Sequence, residues 1–155
     1  MPVAEVVAIF IAPDKSVPVV AVNTVRAVSG KGLEGDCYFK QTGTYSGLKI
    51  SGRDVTLIEI ETLEALERDL NIKLGLGDSR RNIVTRGAPL NHLVGKRFRV
   101  GTVLMFGTRL CEPCGYLESQ TYKGIQKALK HRGGLTAQIL EDGILNSGDS
   151  LVIVD

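Results

Sequence analysis

The chain has 155 residues, of which 43% are apolar and 23% charged, and this fits one globular domain, residues 1–155, with a buried core. No apolar run approaches the roughly 20 residues of a membrane span, and the stretch from Met1 to Phe10 lacks the basic segment of a signal peptide. The net charge of +2 gives little reason to expect nucleic acid. Three cysteines cannot form a complete disulfide framework, so the reducing cytoplasm is the expected location.

The first half of the chain predicts short strands followed by one helix. Apolar, β-branched stretches that end at turn residues are typical of strands, and they cover Val3–Ile11, Val17–Val28 and Val55–Ile58. A glycine-rich loop is expected from Gly30 to Tyr38. Leucines then recur every three or four residues among charged ones, which predicts an amphipathic helix from Glu59 to Asn71, closed by Gly75 and Gly77.

The second half predicts mainly strands, separated by glycine turns. The strands expected are Asn82–Thr85, Arg97–Val100, Val103–Arg109, Ala137–Leu140 and Leu151–Val154, and the turns are Gly87, Gly95, Gly101, Gly143 and Gly148-Asp149. A second helix is expected from Thr121 to Lys130. Eighteen glycines spread among short strands favour a mainly β fold, a closed or half-closed barrel with two or three α-helices packed outside it.

A basic segment without acidic residues runs from Ser79 to Cys111. Its cations are Arg80, Arg81, Arg86, Lys96, Arg97, Arg99 and Arg109. A local field of one sign without a large net charge suits a small anion better than a nucleic acid duplex, although solvated strand edges have the same composition. Because adjacent residues of a strand point to opposite faces, at most one of Arg80 and Arg81 is expected to enter a given pocket and bind a phosphate there.

The strongest local motif is Cys111-Glu-Pro-Cys114, which closely follows Arg109. Its spacing is compatible with a dithiol redox pair, with half of a zinc site, or with one reactive thiolate beside a bystander. A zinc site needs further ligands, and only Cys37, His92 and His131 remain, far apart in the sequence. A redox pair of the thioredoxin type opens a helix in a βαβ unit, which the neighbouring sequence does not resemble. A buried cysteine acting as a small apolar residue is the structural alternative.

The stretch Gly30-Lys-Gly-Leu-Glu-Gly35 has the glycine spacing of a dinucleotide-binding loop. That motif must open a helix, and the residues after Asp36 do not form a regular one, so we reject a dinucleotide site. The loop is instead expected to place Lys31 or Asp36 at the rim of a pocket. Arg132 lies at the expected end of the second helix, where cations complement the helix dipole.

These motifs, in this order, resemble the MOSC domain, named for the C-terminal domain of molybdenum-cofactor sulfurases. The resemblance extends from Gly30 to Asp149 and is closest to short stand-alone bacterial members. Its landmarks are Gly32-Leu-Glu-Gly-Asp36, Arg80-Arg-Asn-Ile83, Gly95-Lys-Arg-Phe98, Arg109-Leu-Cys-Glu-Pro-Cys114, and His131-Arg-Gly-Gly-Leu135 before Gly148-Asp149.

The resemblance implies a mainly β, barrel-like fold with one functional cysteine, matched here by Cys114, and Cys111 is an additional thiol found in similar short members. It implies two activities. In the first, the cysteine is a sulfur carrier that accepts a persulfide from a pyridoxal-phosphate-dependent cysteine desulfurase. In the second, the cysteine ligates the metal of the molybdenum cofactor (molybdopterin), which reduces N-hydroxylated compounds with electrons from a separate donor protein.

A pocket for this small anionic cofactor is therefore expected around Cys114. The polar residues expected to line it are Arg80, Arg81, Asn82, Lys31, Asp36, Arg109 and Arg132. Cys37 and Thr136 depart from the pattern, because similar proteins often carry arginines there, and the loss of two cations weakens a phosphate-binding pocket. A non-enzymatic thiol or zinc-binding module is the remaining alternative.

Overall fold

The computed structural model describes residues 4–14, 17–36, 54–111 and 132–154, and within these ranges the protein is mostly β. The β-branched stretches form strands as expected, because their side chains pack well on a pleated surface. The strands are β1 (Glu5–Ile11), β2 (Val20–Val22), β3 (Thr24–Val28), β4 (Gly32–Leu33), β5 (Val55–Glu59), β6 (Ile83–Arg86), β7 (Arg97–Val100), β8 (Val103–Leu110), β9 (Leu135–Ile139), β10 (Gly143–Asn146) and β11 (Leu151–Ile153).

Eight of these strands form one curled sheet in the order β11-β7-β8-β9-β5-β6-β1-β2, and β10-β3-β4 form a smaller one. Backbone hydrogen bonds join the start of β1 to the chain just before and within β11. The N–H of Val6 donates to the carbonyl of Asp149 at 2.8 Å, and the N–H of Leu151 donates to the carbonyl of Ala4 at 2.9 Å. The sheet is therefore curled into a half-barrel, and the expectation of a mainly β, barrel-like fold is confirmed.

The core lies inside the curl of the large sheet. The hairpin predicted around Gly101 is present, with Phe98 opposite Met105 and Val100 opposite Val103. All four of these side chains are buried, and they pack with inward residues of the central strands such as Leu57. The alternation of apolar and polar residues that predicted this hairpin thus reflects one strand face turned to the core.

The helix α1 (Ile60–Leu70) packs on the outer face of the sheet, as its leucine spacing predicts. Its buried residues Ile60 and Leu63 form a second apolar cluster with Ile58 and Val84. The helix ends at Asn71, which adopts the left-handed conformation, so the expectation that Gly75 and Gly77 close it is wrong. In the described ranges, no helix has the length and apolar character needed to cross a membrane.

Two other expectations differ from the structure. Gly143 begins β10 instead of forming a turn, and that strand pairs with β3. The expected loop from Gly30 to Tyr38 contains the short strand β4. Leu90–Leu93 forms a short 3-10 helix, and the second helix expected at Thr121–Lys130 lies outside the described residues.

Glu59 stands at the junction of β5 and α1, and its carboxyl pKa is raised above the ordinary value of 4.5. Burial is the largest cause and the charge of Glu61 adds to it, whereas the Leu90 backbone and His92 act in the opposite direction. A raised pKa means that the folded state holds this proton more tightly than the unfolded state. The contribution of the Glu59 carboxyl to the free energy of unfolding is therefore complete below pH 4.5, and it is lost as the pH rises through the folded pKa.

Glu59→Gln is expected to raise the free energy of unfolding modestly near neutral pH, because it removes a half-buried charge. The gain should shrink as the pH falls and vanish below the ordinary carboxyl pKa. Urea denaturation over a series of pH values measures it. Glu64→Gln, on the exposed face of α1, is the matched control, and an equal gain there would contradict the assignment.

Candidate functional site

A row of four polar residues crosses adjacent strands on the outer face of the large sheet. Thr136 of β9 lies opposite Arg109 of β8 on one side and Thr56 of β5 on the other. Asn82, directly before β6, is held beside Thr56 by side-chain hydrogen bonds. Thr56 precedes the outward Ile58 by two residues, so this outer polar row shares the sheet face on which α1 packs.

The Asn82 end of the outer polar row is fully hydrogen-bonded within the protein. The Asn82 Oδ1 accepts from the N–H and the hydroxyl of Thr56 at 3.0 and 3.2 Å. Its Nδ2 donates to the carbonyl of Phe10 at 3.1 Å and to the Asp36 carboxylate at 3.3 Å. Asp36, only 1% exposed, also accepts the N–H of Ala12 at 2.8 Å. Asn82 and Asp36 therefore position the strands, and the Asn82 amide has no capacity left for a ligand.

At the opposite end of the row, buried polar atoms lack hydrogen-bond partners. Among the described residues, Arg109 Nη2, Thr136 Oγ1 and Ser79 Oγ are buried atoms without a hydrogen-bond partner. Thr136 is completely buried, whereas Arg109 as a whole is partly exposed. A buried polar group without a partner costs about 1–3 kcal/mol, and more when it is charged. The Arg109–Thr136 end is thus the part of the row that is suited to binding a ligand.

Arg81 links the two described chain segments that flank Cys114 in the sequence. Its Nε donates to the carbonyl of Gly133 at 2.8 Å, and its Nη2 donates to the carbonyl of Cys111 at 3.4 Å. The N–H of Cys111 in turn donates to the carbonyl of Gly134 at 2.7 Å. The free Cys111 is buried, with 8% of its surface exposed. A guanidinium shared by these carbonyls fixes the end of β8 against the start of β9.

The remaining cations expected at the site are directed elsewhere. Arg80 was expected on a strand, but its φ of 60° shows that it is not part of one. Its Nη1 donates to the Val17 carbonyl at 2.8 Å. Lys31 is exposed in the turn between β3 and β4. Arg132 lies near Asp69 of α1: the hydrogen bond from Arg68 is the main cause of the lowered Asp69 pKa, and the charge of Arg132 adds to it.

The structure therefore brings together only part of the expected pocket. Arg109, Asn82 and Asp36 lie on or beside one sheet face. Arg81 contacts the backbone carbonyl of Cys111, the first residue of the cysteine motif. Cys114, Cys37 and His131 lie outside the described residues.

Thr56 was not predicted as a site residue, and Thr136 was predicted only as a position where similar proteins carry an arginine. The sequence feature that could have indicated Thr56 is a hydroxyl-bearing residue within the apolar strand Val55-Thr-Leu-Ile58.

Comparisons with known proteins give one family and several similar structures. The family model described as MOSC domain matches residues 46–152. The fold is similar to that of YuaD from Bacillus subtilis, with a TM-score of 0.80 and 17% identity over 98% of this chain and 96% of that one. YiiM from Geobacillus stearothermophilus has a TM-score of 0.73 and 17% identity, over 98% and 75% of the two chains. YiiM from Escherichia coli gives 0.69 and 16%, over 97% and 70%. No curated protein matches the sequence.

Proposed function

The chain belongs to the MOSC domain family, and on this premise we propose that it handles sulfur for molybdenum-cofactor chemistry through Cys114. In this proposal Cys114 accepts sulfur from a pyridoxal-phosphate-dependent cysteine desulfurase and holds it as a persulfide. The family is associated with the molybdenum cofactor, and the matched residues include Cys114.

The contacts of Arg81 are the observation that carries the proposal. They hold the carbonyls of Cys111 and Gly133, which flank Cys114 in the sequence, at one end of the sheet. Cys114 follows Cys111 by three residues, so Arg81 binds the segment of chain that leads into the proposed sulfur acceptor. In the proposal, the guanidinium groups of Arg81 and Arg109 stabilise the Cys114 thiolate, since a cation favours the charged thiolate over the neutral thiol.

The sulfur transfer needs no external oxidant. The Cys114 thiolate attacks the terminal sulfur of the persulfide on the desulfurase, and a new S–S bond forms on Cys114. The S–S bond of the donor breaks at the same time, and the donor cysteine leaves as a thiolate. The chain's own cations assist by stabilising the attacking anion before the transfer. Cys111 is buried, so we assign the accepting role to Cys114 alone.

Arg109 and Thr136 fit the phosphate of a molybdenum cofactor, whereas Asn82 does not. The unpartnered Arg109 Nη2 and Thr136 Oγ1 are donors suited to phosphate oxygens, whereas the Asn82 amide is already fully used. When bound, the cofactor would supply the redox chemistry of a reductase of N-hydroxylated compounds. Arg109 and Thr136 would then hold its phosphate, Cys114 would ligate its metal, and a separate protein would deliver electrons.

Cys114→Ser is expected to abolish persulfide formation. The wild-type protein, incubated with a cysteine desulfurase and cysteine, should gain about 32 Da per added sulfur atom in intact-mass spectrometry. The gain should be lost in Cys114→Ser and kept in the matched controls Cys111→Ala and Cys37→Ser. A wild-type protein that gains no mass, or a Cys114→Ser variant that still gains it, would refute the carrier role.

Metal and pterin analysis separates the carrier from its alternatives. We expect protein purified from a host that makes the cofactor to contain neither metal nor pterin in stoichiometric amount. Stoichiometric molybdenum with fluorescent pterin, both lost in Cys114→Ser, would replace the carrier with the reductase. One zinc ion per chain would instead support a structural thiol site.

A further inference from the structure

We propose that two copies of this chain form a dimer through two complementary surfaces of the molecule. One is a valine–arginine strip on the outer face of the large sheet, which consists of Val152, Val154, Arg97 and Arg99. The other is the acidic side of α1. In the dimer the strip of each copy contacts α1 of the other copy, so the same contact occurs twice about a two-fold axis.

The valine–arginine strip lies on β7 and along β11, the strand at one end of the large sheet. Val152 is paired with Arg99, and the N–H of Val154 donates to the carbonyl of Arg97 at 2.9 Å. The residues of β7 that alternate with the two arginines are buried in the core, and paired residues of neighbouring strands share a face. All four side chains of the strip therefore point outward.

The strip is exposed in the single chain. Val152 is 56% exposed and Val154 48%, while Arg97 is exposed and Arg99 is partly exposed. In the described part of the chain, the apolar contacts of α1 are with β1, β5 and β6, so this helix does not cover the strip. Exposed aliphatic residues at a sheet edge, bordered by charged residues, are typical of interaction surfaces.

The acidic side of α1 consists of Glu64, Glu67 and Leu70. Because these residues are spaced by three, they lie along one side of the helix. Both glutamates are exposed, and Leu70, the last residue of α1, is 50% exposed although it is a large aliphatic residue. This side therefore presents two carboxylates and one aliphatic group, which match the cations and the aliphatic groups of the strip.

Charge complementarity within the chain favours a second copy as the occupant of the strip. Both arginines belong to the segment from 79 to 111, which contains no acidic residue, and the acidic side of α1 supplies the opposite charge. Arg99 already pairs with the carboxylate of Glu141 at 3.1 Å, so this face can bind a carboxylate. The strands β8 and β9 separate β7 from β5, on which α1 packs, so the two surfaces meet between copies and not within one chain. Opposite charges would fix the relative orientation of the copies, and the aliphatic groups would exclude water.

Sedimentation equilibrium of the full chain tests whether the dimer exists. The mean mass should rise from that of one chain towards that of two as the concentration increases from about 1 to about 300 µM, since we expect a micromolar dissociation constant. Sodium chloride at about 1 M should weaken association by about threefold or more, because it reduces the Debye length to about 3 Å. A monomer at every concentration, or a mass that grows beyond two chains, would overturn the proposal.

Charge reversal tests which surfaces are in contact. Arg97→Glu and Glu67→Lys should each weaken association about tenfold or more, because each substitution places like charges at both contacts of the dimer. An equimolar mixture of the two variants should associate within about threefold of the wild-type protein, because both contacts of the mixed dimer again join opposite charges. Arg26→Glu, at an exposed arginine of the smaller sheet, is the matched control and should change association less than about twofold. A dimer that tolerates both reversals, or no recovery in the mixture, would assign the contact to other surfaces and overturn the proposal.

The aliphatic part of the strip is tested by comparing Val154→Ser with Ile144→Ser. Both positions are 48% exposed, but Ile144 belongs to β10 of the smaller sheet and lies outside both surfaces. Val154→Ser should weaken association about fivefold or more, because it removes apolar area that the dimer buries. Ile144→Ser should change association less than about twofold. Equal weakening by the two substitutions would contradict the assignment of the strip.

Discussion

Gly134→Ala is expected to lower the free energy of unfolding by about 3–5 kcal/mol. Gly134 precedes β9 with a φ of +109°, a conformation that side chains with a Cβ rarely adopt. A Cβ there would also meet the carbonyl oxygen of Leu57, which belongs to the backbone of the neighbouring strand and cannot rotate away. Urea denaturation of the wild-type and variant proteins measures the difference.

Gly148→Ala is the matched control for this substitution. Gly148 also has a positive φ, +93°, but no atom lies within 4 Å of its Cβ position. The control should lose only the cost of the backbone conformation, about 1–2 kcal/mol. Equal losses in the two variants would mean that the approach of Gly134 to Leu57 contributes nothing.

Asn82→Asp is expected to cost about 3–5 kcal/mol. The new carboxylate can still accept from Thr56, but it replaces a donor that faces the Phe10 carbonyl and the Asp36 carboxylate. Two buried carboxylates would then face each other, and the Phe10 carbonyl would lose its partner. Urea denaturation at neutral pH measures the loss.

The exchange variant Asp36→Asn/Asn82→Asp tests whether the contact itself is responsible. It restores one donor and one acceptor between the two positions, and the amide oxygen introduced at position 36 can still accept from Ala12. The pair should recover about 1–3 kcal/mol of the summed losses of the single variants. Strictly additive losses would show that the Asn82–Asp36 hydrogen bond does not stabilise the fold.

Local patterns predicted the elements whose burial repeats along the chain. The hairpin at Gly101 and the helix α1 were predicted within one or two residues, because in both cases every inward position is apolar. The strand β10 was missed because only Leu145 among its four residues is buried, so no alternation marks it. Its pairing with β3, more than a hundred residues earlier, has no local signature.

The site was harder to predict because its contacts are long-range. Asn82 bonds to partners 26, 46 and 72 positions away, and these contacts use the amide that the sequence suggested was free for a ligand. The left-handed conformation of Arg80 means that this residue does not follow the strand alternation, which had predicted that at most one of Arg80 and Arg81 enters a given pocket. The sequence did indicate that one of the two would lie near the cysteine motif. Only the fold shows that it is Arg81.

The hydrogen bonds between Ala4–Val6 and Gly148–Leu151 have a consequence for synthesis on the ribosome. β1 pairs with β2 and β6, which are translated earlier, but its start also bonds to a segment translated about 140 residues later. The curled sheet therefore cannot close before nearly the whole described chain has emerged. Contacts between such distant residues slow folding and leave strand edges open in the meantime. The closure between these two segments is therefore expected to be a late step of folding.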